Sequence, residues 1–542
     1  MIKIKKVKLL IFLFFFISAV FVLSSDIYYK INKSYEIFTE TLKILIDNYV
    51  LDLDPEILVE SAINGMLATL DPYTIYYSAN DKNELDFLTN SSYVGIGIKV
   101  KSIDSELAIT EIFDGSEAQL KNIKIGYKIL KVDSNYTLNL TPEDLYKYIQ
   151  GKEGTNLTLS LINYDNDTLL FNLVRRKITL NCIEYNKLIN DSVGYIKLQR
   201  FDKTTKNEMR NLLYDFIYTN KLKSLILDLS DNTGGLLDAA VGVCEFFLPE
   251  NLIIVSTKNK NNINQTEYKT YVPPILPKIP LIVIINENSA SASEIVAGAL
   301  QDYDRALIVG NKSFGKGLVQ NIFNLPYDNN IKVTTSKYYI PSGRCIQRLD
   351  FAERYKDKYI LNSPDTNYFY TKNGRKVIET SGIIPDTSFD DFDNSKFIEL
   401  LEFDNIFFKF GTFVYKKYKE KDNLSDKEMF KEFKNFLKLI NYHYDSKIKD
   451  LVNSLNNNID IKRDKKFNKT IIELEKLDKF LLEKELERNK EKIISLSKIN
   501  YYKRYKKIEE IKELELEYNQ NIKKSINLIN SKQYYQLLNS LY

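Results

Sequence analysis

Three serines stand close together where an apolar stretch gives way to small residues. Residues 285–294 read Ile-Asn-Glu-Asn-Ser-Ala-Ser-Ala-Ser-Glu, which predicts a strand end, a turn and a helix start. A serine at such a helix start lies beside unpaired backbone N–H groups, which stabilise developing negative charge. The alternative is structural, because Ser291 and Glu294 also have the spacing of a capping box. Local sequence does not choose a nucleophile among Ser289, Ser291 and Ser293.

One lysine lies between two glycines further along, in Gly315-Lys316-Gly317. Burial among apolar neighbours disfavours a charged ammonium, so the pKa of such a lysine falls toward the range of a general base. The amine can then take a serine proton in place of an imidazole. The chain has one histidine, His443, which a histidine-based mechanism would have to bring to the nucleophile. Gln320 could reach back to position the lysine. The alternative to a general base is that Lys316 is a surface lysine in a flexible loop.

A glycine turn is the third feature that could do chemistry. Gly234 and Gly235 follow the apolar run Ser224–Leu229. One amide of this turn and that of Ala292 would form an oxyanion hole, although an ordinary glycine turn has the same sequence. Residues 310–317 also match G-x-x-x-x-G-K, but a phosphate loop needs Ser or Thr where Gly317 stands.

The composition excludes several classes of protein. The 542 residues are 44% hydrophobic and 27% charged, which is typical of a globular chain of three or four domains. A formal net charge of +4 gives no reason to expect nucleic-acid binding. Cys182, Cys244 and Cys345 are scattered and odd in number, which argues against a disulfide framework and a zinc site. We predict no metal, no cofactor and no nucleic-acid partner.

The N-terminus predicts export. Lysines at positions 3, 5, 6 and 8 precede an apolar run from Leu9 to Leu23. The run is short for a membrane span, which favours a signal peptide, but no small-residue cleavage site follows, which favours an uncleaved anchor. A buried N-terminal helix is the third alternative for residues 1–25. The positive-inside rule places the remaining chain outside the cytoplasm, so we expect an extracytoplasmic, periplasmic protein whose N-terminal segment allows membrane association.

Hydrophobic periodicity predicts a multidomain α/β protein. Residues 26–90 have helical spacing, residues 91–176 contain short alternating strands, and residues 177–400 alternate strands with helices. Residues 401–542 are rich in Lys and Glu, with no glycine or proline after Gly411, which predicts an all-α region. Its apolar stripes indicate a helical core, with a partner-binding arm or coiled coil as the alternative, so these helices are also a candidate oligomerisation surface.

The chain resembles carboxyl-terminal processing peptidases, the tail-specific proteases that have a Ser-Lys dyad and a PDZ domain. The resemblance runs from about Gly65 to Phe389. It is carried by ordered motifs: Gly65-Met66-Leu67, Leu70-Asp71-Pro72, Asn232–Ala240, Ser289–Asp302, Gly315-Lys316-Gly317 with Gln320, Tyr338–Arg344, Asn373-Gly374-Arg375 and Gly382–Asp386.

The resemblance implies roles for the candidate residues. Ser291 would be the nucleophile, Lys316 its base, and Gln320 the residue that orients the lysine. Ala292 and the Gly234-Gly235 turn would supply the oxyanion donors, with the choice of glycine left open. The implied fold is a crotonase-like α/β serine peptidase core with an inserted PDZ domain, to which the hydrophobic periodicity adds N-terminal helices and an all-α C-terminal domain.

The sequence patterns and the resemblance together predict an order of domains. It is a signal peptide or anchor at 1–25, an N-terminal helical region at 26–90, a PDZ domain at 91–176, a serine peptidase core at 177–400 and a C-terminal helical domain at 401–542. The PDZ loop that receives a terminal carboxylate would consist of Tyr93, Val94, Gly95, Ile96 and Gly97. Tyr127 departs from the family, which usually has aspartate there.

The implied function is that of a serine endopeptidase, a hydrolase whose PDZ domain binds protein substrates by their C-terminal tails. It would cleave near the C-termini of exported proteins. The competing interpretation is a noncatalytic PDZ scaffold or anchor that binds tails without cutting them. The scaffold leaves the serine, lysine, glutamine and glycine set unexplained.

Overall fold

A computed structural model describes most of the chain. It covers residues 27–81, 84–85, 87, 91–218, 221–260, 265–351, 360–361, 367–379, 381–388, 395–422, 424–444, 452, 454 and 465–539. The signal peptide or anchor predicted at 1–25 lies outside these residues. The chain forms two compact units, of which the first comprises residues 27–79, 320–334, 351 and 360, and the second comprises the remainder.

The secondary structure mixes helices and strands. After the helical residues 27–48, the helices are Pro55–Leu67, Glu117–Leu120, Pro142–Ile149, Thr205–Tyr218, Leu237–Cys244, Ala292–Asp302, Lys396–Phe403, Ile406–Tyr418, Asp426–Leu439, Lys465–Arg488, Lys490–Tyr502, Ile508–Tyr518, Gln520–Ile529 and Lys532–Asn539. The strands are Ile75–Tyr77, Ser92–Gly95, Ile98–Ile103, Glu106–Ile112, Lys128–Val132, Asn135–Tyr136, Asn156–Ile162, Thr168–Val174, Arg176–Thr179, Ile183–Ile189, Val193–Leu198, Ser224–Asp228, Ile253–Asn259, Gln265–Lys269, Leu281–Ile285, Leu307–Gly310, Leu318–Asn324, Asn330–Tyr339, Leu349–Asp350, Ile360–Leu361, Tyr368–Tyr370 and Lys376–Ile378.

The first unit contains a strand inside the region predicted to be helical. The helix Pro55–Leu67 begins as expected, with the Asp54 carboxylate accepting the Glu56 N–H at 2.8 Å. Strand Ile75–Tyr77 then pairs antiparallel with the chain near Lys332. The helical prediction for 26–90 was therefore wrong at these three residues. Isoleucine and tyrosine favour an extended chain when a neighbouring strand is available.

The second unit is built around a central sheet of five strands. In spatial order they are Ile183–Ile189, Val193–Leu198, Ser224–Asp228, Leu281–Ile285 and Leu307–Gly310. The first pair is antiparallel and the other neighbours are parallel. The apolar run that begins at Ser224 and the strand end predicted at Ile285 are both confirmed as parts of this sheet, and the fold is mixed α/β as predicted.

Both faces of the central sheet are buried, as its apolar strands require. Leu225 and Leu227 point to one face, where they join a core formed with the helices Thr205–Tyr218, Leu237–Cys244 and Ala292–Asp302. Ile226 points to the opposite face and joins a different cluster. This alternation has the period of two residues that a strand imposes.

The second face of the central sheet is covered by the end of the chain. Ile522 and Ile529 of helix Gln520–Ile529 pack in the same cluster as Ile226. The hydroxyl of Tyr534 accepts the Leu281 N–H at 3.0 Å. The region predicted as a C-terminal helical domain at 401–542 therefore supplies one layer of the α/β core.

The strand-rich segment (residues 91–176) forms an antiparallel sheet. Its main strands follow the spatial order Ile98–Ile103, Glu106–Ile112, Lys128–Val132, Asn156–Ile162 and Thr168–Val174. The Tyr127 ring meets Tyr164 edge to face at 5.0 Å between centroids. Tyr164 in turn contacts Tyr415 of helix Ile406–Tyr418, with centroids 4.7 Å apart. Tyr127 thus belongs to an aromatic contact between this segment and the C-terminal helices.

Within the described ranges, no helix combines the length and the apolar character needed to cross a membrane.

Replacement of Ile522 tests whether helix Gln520–Ile529 stabilises the central sheet. We expect Ile522→Ala to lower the free energy of unfolding by roughly 2–4 kcal/mol, because it leaves a cavity against the sheet. Its side chain is 3% exposed, whereas Ile472, the control, is 50% exposed. Ile472→Ala should change stability by no more than about 0.5 kcal/mol. Urea unfolding followed by circular dichroism measures both, and equal effects would contradict the packing.

Candidate active site

Ser291 occupies a strained turn between a central strand and a helix. Strand Leu281–Ile285 ends, the chain turns, and Ser291 precedes helix Ala292–Asp302 with φ +55° and ψ −113°. Positive φ is unfavourable for a residue with a Cβ, and such strain is often found at functional turns. The turn places the residue at the helix N-terminus, as predicted.

The structure distinguishes the three serines that local sequence left equivalent. Ser289 and Ser293 are fully buried, and their hydroxyls donate to the carbonyl oxygens of Leu229 and Asn232, each at 2.8 Å. Ser291 is partly exposed. Two of the serines therefore hold the turn together, and Ser291 is the one that solvent reaches.

A buried carboxylate joins the Ser291 turn to the lysine loop. Oxygen Oε2 of Glu294 accepts the backbone N–H of Ser291 at 2.8 Å and that of Lys316 at 2.9 Å. Oxygen Oε1 accepts the Gly315 N–H at 2.7 Å and the Ser313 hydroxyl at 2.6 Å. Burial raises the pKa of Glu294, and these four donors oppose the rise. The structure forms the predicted capping box of Ser291 and Glu294, and the same carboxylate also binds a second loop.

A tyrosine hydroxyl makes a second link between the same two residues. Tyr338 is 1% exposed, and its hydroxyl lies 2.6 Å from the carbonyl oxygen of Lys316 and 3.2 Å from that of Ser291. Its own backbone N–H donates to the Gly317 carbonyl at 2.9 Å. Tyr338 belongs to one of the family motifs, but its role was not predicted.

The glycines beside Lys316 allow the lysine loop to approach its neighbours closely. Gly315 has φ +89°, and a Cβ built there would lie 2.9 Å from the Cβ of Arg348. A Cβ on Gly317 would lie 2.8 Å from the Gln347 nitrogen. Side chains at either position would push the lysine loop away from its neighbours. The Lys316 side chain itself is partly buried.

The glycine turn lies against the Ser291 turn. A Cβ on Gly234 would be 2.8 Å from Ser291 Cβ and 3.0 Å from the Ala292 nitrogen. The Gly234 N–H donates to the Asn232 side chain at 2.9 Å. Within the part of the chain that the structure describes, the N–H groups of Gly235 and Ala292 have no assigned acceptor. This favours Gly235 over Gly234 as the second oxyanion donor.

Asn232 is a residue whose role sequence reasoning missed. Its side chain also donates to the Leu198 carbonyl at 2.8 Å. Its carbonyl accepts the Ala290 N–H at 3.1 Å and the Ser293 hydroxyl. Asn232 therefore ties the glycine turn to the serine turn. Its position just before the two glycines was a signal that the sequence carried.

Gln320 lies in the other compact unit. There its amide donates to the Thr334 hydroxyl at 3.3 Å, and that hydroxyl donates to the Asp71 carboxylate at 3.2 Å. Its orientation of Lys316 stays a prediction.

His443 is hydrogen-bonded to Asp478 at 3.0 Å in the C-terminal helical region.

The carboxylate-binding loop predicted at Tyr93–Gly97 is only partly a loop. Strand Ser92–Gly95 pairs antiparallel with Arg176–Thr179. Tyr93, Val94 and Gly95 therefore lie in a strand and not in a loop, because aromatic and β-branched residues favour a strand where a partner is available. Their binding of a terminal carboxylate stays a prediction. Ile96 is fully buried, and Gly97 turns the chain with φ +80°.

Comparison with known proteins gives the family. A family model described as Peptidase family S41 matches residues 192–357, and one described as Activating protease CtpB N-terminal domain matches residues 24–81. A carboxy-terminal-processing protease of Bartonella bacilliformis is 36% identical over 303 residues, which are 55% of this chain and 69% of that protein. The chain belongs to peptidase family S41.

Two further proteins are similar to this chain. A carboxyl-terminal-processing protease of a Picosynechococcus species is 34% identical to this S41 peptidase over 53% of the chain and 70% of that protein. A solved photosystem II D1 C-terminal processing protease has 22% identity and a TM-score of 0.38, covering 65% of this chain and 92% of that one. That score is too low to transfer structural detail. Membership in a peptidase family favours the enzyme over the noncatalytic scaffold.

Removal of the charge on Glu294 tests its role in joining the two loops. Glu294→Gln places an NH₂ group against N–H donors, so we expect peptidase activity to fall at least roughly 100-fold as the loops shift. Glu287→Gln is the control, because Glu287 is an exposed glutamate of the same turn. Cleavage rates and circular dichroism of both variants measure the effect. Normal activity in Glu294→Gln would show that the shared carboxylate is dispensable.

Addition of one methyl group tests the space in front of the Ser291 turn. Gly234→Ala puts a Cβ 2.7 Å from the Ala290 oxygen at φ +102°, so we expect activity to fall by roughly 100-fold or more. Gly154→Ala is the matched control, since Gly154 has φ +80° with no atom within 4 Å of the added Cβ. It should cost about 1–2 kcal/mol in stability and leave the cleavage rate unchanged. Equal activity losses would assign the effect to backbone strain.

Proposed function

We propose that this S41 peptidase is a serine endopeptidase that cleaves near the C-termini of exported proteins, with Ser291 as nucleophile and Lys316 as base. The observation that carries the proposal is the shared Glu294 oxygen, which accepts the N–H groups of both residues. A buried carboxylate holding both backbones fits a pair of residues that must act together. The Tyr338 hydroxyl supports the same pairing.

The chemistry follows from these roles. The neutral Lys316 amine takes the Ser291 hydroxyl proton while Oγ attacks the peptide carbonyl carbon. The carbonyl oxygen gains negative charge and faces the amides of Gly235 and Ala292. The Lys316 ammonium then gives its proton to the leaving amine as the C–N bond breaks. Water hydrolyses the acyl-enzyme through the same proton transfers and restores the serine.

Gln320 would hold the lysine ready for these transfers. The core around the dyad is a crotonase-like fold. No metal or other cofactor takes part.

The strand-rich segment would select substrates as a PDZ domain. In support, strand Ile98–Ile103 is the edge of its antiparallel sheet, open on one side as far as the described residues show, and helix Pro142–Ile149 packs against it. An extended C-terminal tail would add to the edge by β-augmentation, with its carboxylate near Ile96 and Gly97. The substrate class is therefore a protein with an accessible apolar tail.

Export would bring the enzyme to these substrates. The basic flank and apolar run at residues 1–25 place the peptidase outside the cytoplasm, as a periplasmic protein or one attached to the membrane. The C-terminal helices are the surface for any oligomer.

Substitution of the dyad tests the mechanism. With β-casein as an unfolded substrate, we expect Ser291→Ala and Lys316→Ala to fold but to lose at least roughly 10³-fold in rate. Lys312→Ala is the control, because this lysine belongs to the same loop and contacts Ser381, and it should keep its rate within about two-fold. Product analysis by mass spectrometry gives the rate and the cut sites. Normal cleavage by Ser291→Ala would reduce that serine to a helix cap, and full activity of Lys316→Ala would remove the lysine as base.

A further inference from the structure

The edge strand Ile98–Ile103 turns one backbone amide toward its open side. Val100 lies opposite Ile109 of the neighbouring strand. The Ile109 N–H donates to the Tyr127 carbonyl at 2.9 Å, and its carbonyl accepts the Gly126 N–H at 2.8 Å. In an antiparallel pair each residue directs both backbone groups to the same side. Ile109 therefore faces away from Val100, and the Val100 amide faces the open edge.

The Val100 amide is hydrogen-bonded to a side chain. The Val100 N–H donates to the hydroxyl oxygen of Tyr146 at 3.0 Å. Tyr146 belongs to helix Pro142–Ile149, which is anchored in the core by Leu145 and Ile149 at 0% and 2% exposure. The helix is therefore fixed, and the hydroxyl is held at the middle of the strand edge.

Binding of a tail to this edge competes with the tyrosine. A strand added by β-augmentation uses the edge amides as donors to its own carbonyl groups. The Val100 N–H makes one strong hydrogen bond, so a peptide carbonyl and the Tyr146 oxygen are alternatives. We propose that Tyr146 closes the tail-binding edge in the free protein and that a substrate tail must displace its hydroxyl. This inference rests on the proposed binding of tails by the strand-rich segment.

The displacement makes Tyr146 a residue that sets specificity. A tail must replace one hydrogen bond before it gains any, so tails with few other contacts bind weakly. Tails with an apolar end and a free carboxylate gain further contacts and bind. If Tyr146 instead contacted the bound tail, its hydroxyl would raise affinity, so the sign of the effect separates the two roles.

The test compares two tyrosines on one helix. The full-length chain with Ser291→Ala is purified in dodecyl maltoside, and a fluorescein-labelled ten-residue peptide ending in four alanines is titrated by anisotropy. We expect Tyr146→Phe to lower the Kd roughly three- to ten-fold, because the competing acceptor is gone. Tyr148→Phe makes the same chemical change at a side chain that is 40% exposed, and it should leave the Kd unchanged.

Hydrogen exchange provides a second readout at the strand itself. In the free protein, peptides covering residues 98–103 should exchange faster in Tyr146→Phe than in the Tyr148→Phe control. With the alanine-ended peptide at saturation, both variants should be equally protected.

Other outcomes overturn the inference in distinguishable ways. Equal Kd values for all variants, with normal binding, leave tail binding intact and remove Tyr146 as its gate. Weaker binding by Tyr146→Phe makes the tyrosine a contact of the tail and also overturns the proposal. Absence of binding in every variant, or equal binding of the same peptide with an amidated end, overturns tail recognition by this segment and the inference with it.

Discussion

One carboxylate with no access to water organises the catalytic region of this protein. A buried charge is unfavourable unless hydrogen-bond donors surround it. The donors to Glu294 come from the Ser291 turn and from the loop of Ser313, Gly315 and Lys316. The hydrogen bonds of the carboxylate therefore form only when both loops are in place. Burial of Glu294 during folding thus positions the two candidate catalytic residues. The Tyr338 hydroxyl holds the same two residues together through their carbonyl oxygens.

The C-terminal helices are part of this arrangement. Helix Gln520–Ile529 covers the face of the central sheet that the earlier helices leave open. Helix Ile406–Tyr418 meets the strand-rich segment through Tyr415 and Tyr164. The same region of the chain thus stabilises the sheet beneath the Ser291 turn and contacts the segment proposed to bind tails. The C-terminal helices are therefore a structural element of the peptidase as well as a candidate oligomerisation surface.

Local patterns predicted much of the fold and failed where a partner strand was needed. The strand near Ser224 and the helix from Ala292 follow from apolar runs and a helix cap, which act over a few residues. Strands Ile75–Tyr77 and Ser92–Gly95 were missed because their partners lie far along the chain. Tyr127 departs from the aspartate that is usual in the family, and only the structure shows its ring contact with Tyr164.

The sequence by itself determined the family, the α/β class and a short set of candidate residues, because motifs and periodicity are local properties. Local sequence left three serines and two glycines equivalent. Tertiary structure distinguishes them by their hydrogen bonds, since the hydroxyls of Ser289 and Ser293 and the Gly234 N–H all have acceptors that only the folded chain brings to them. It also decided that Tyr146 meets the open edge of a strand. Burial and hydrogen-bond satisfaction depend on which segments meet, and no local pattern contains that information.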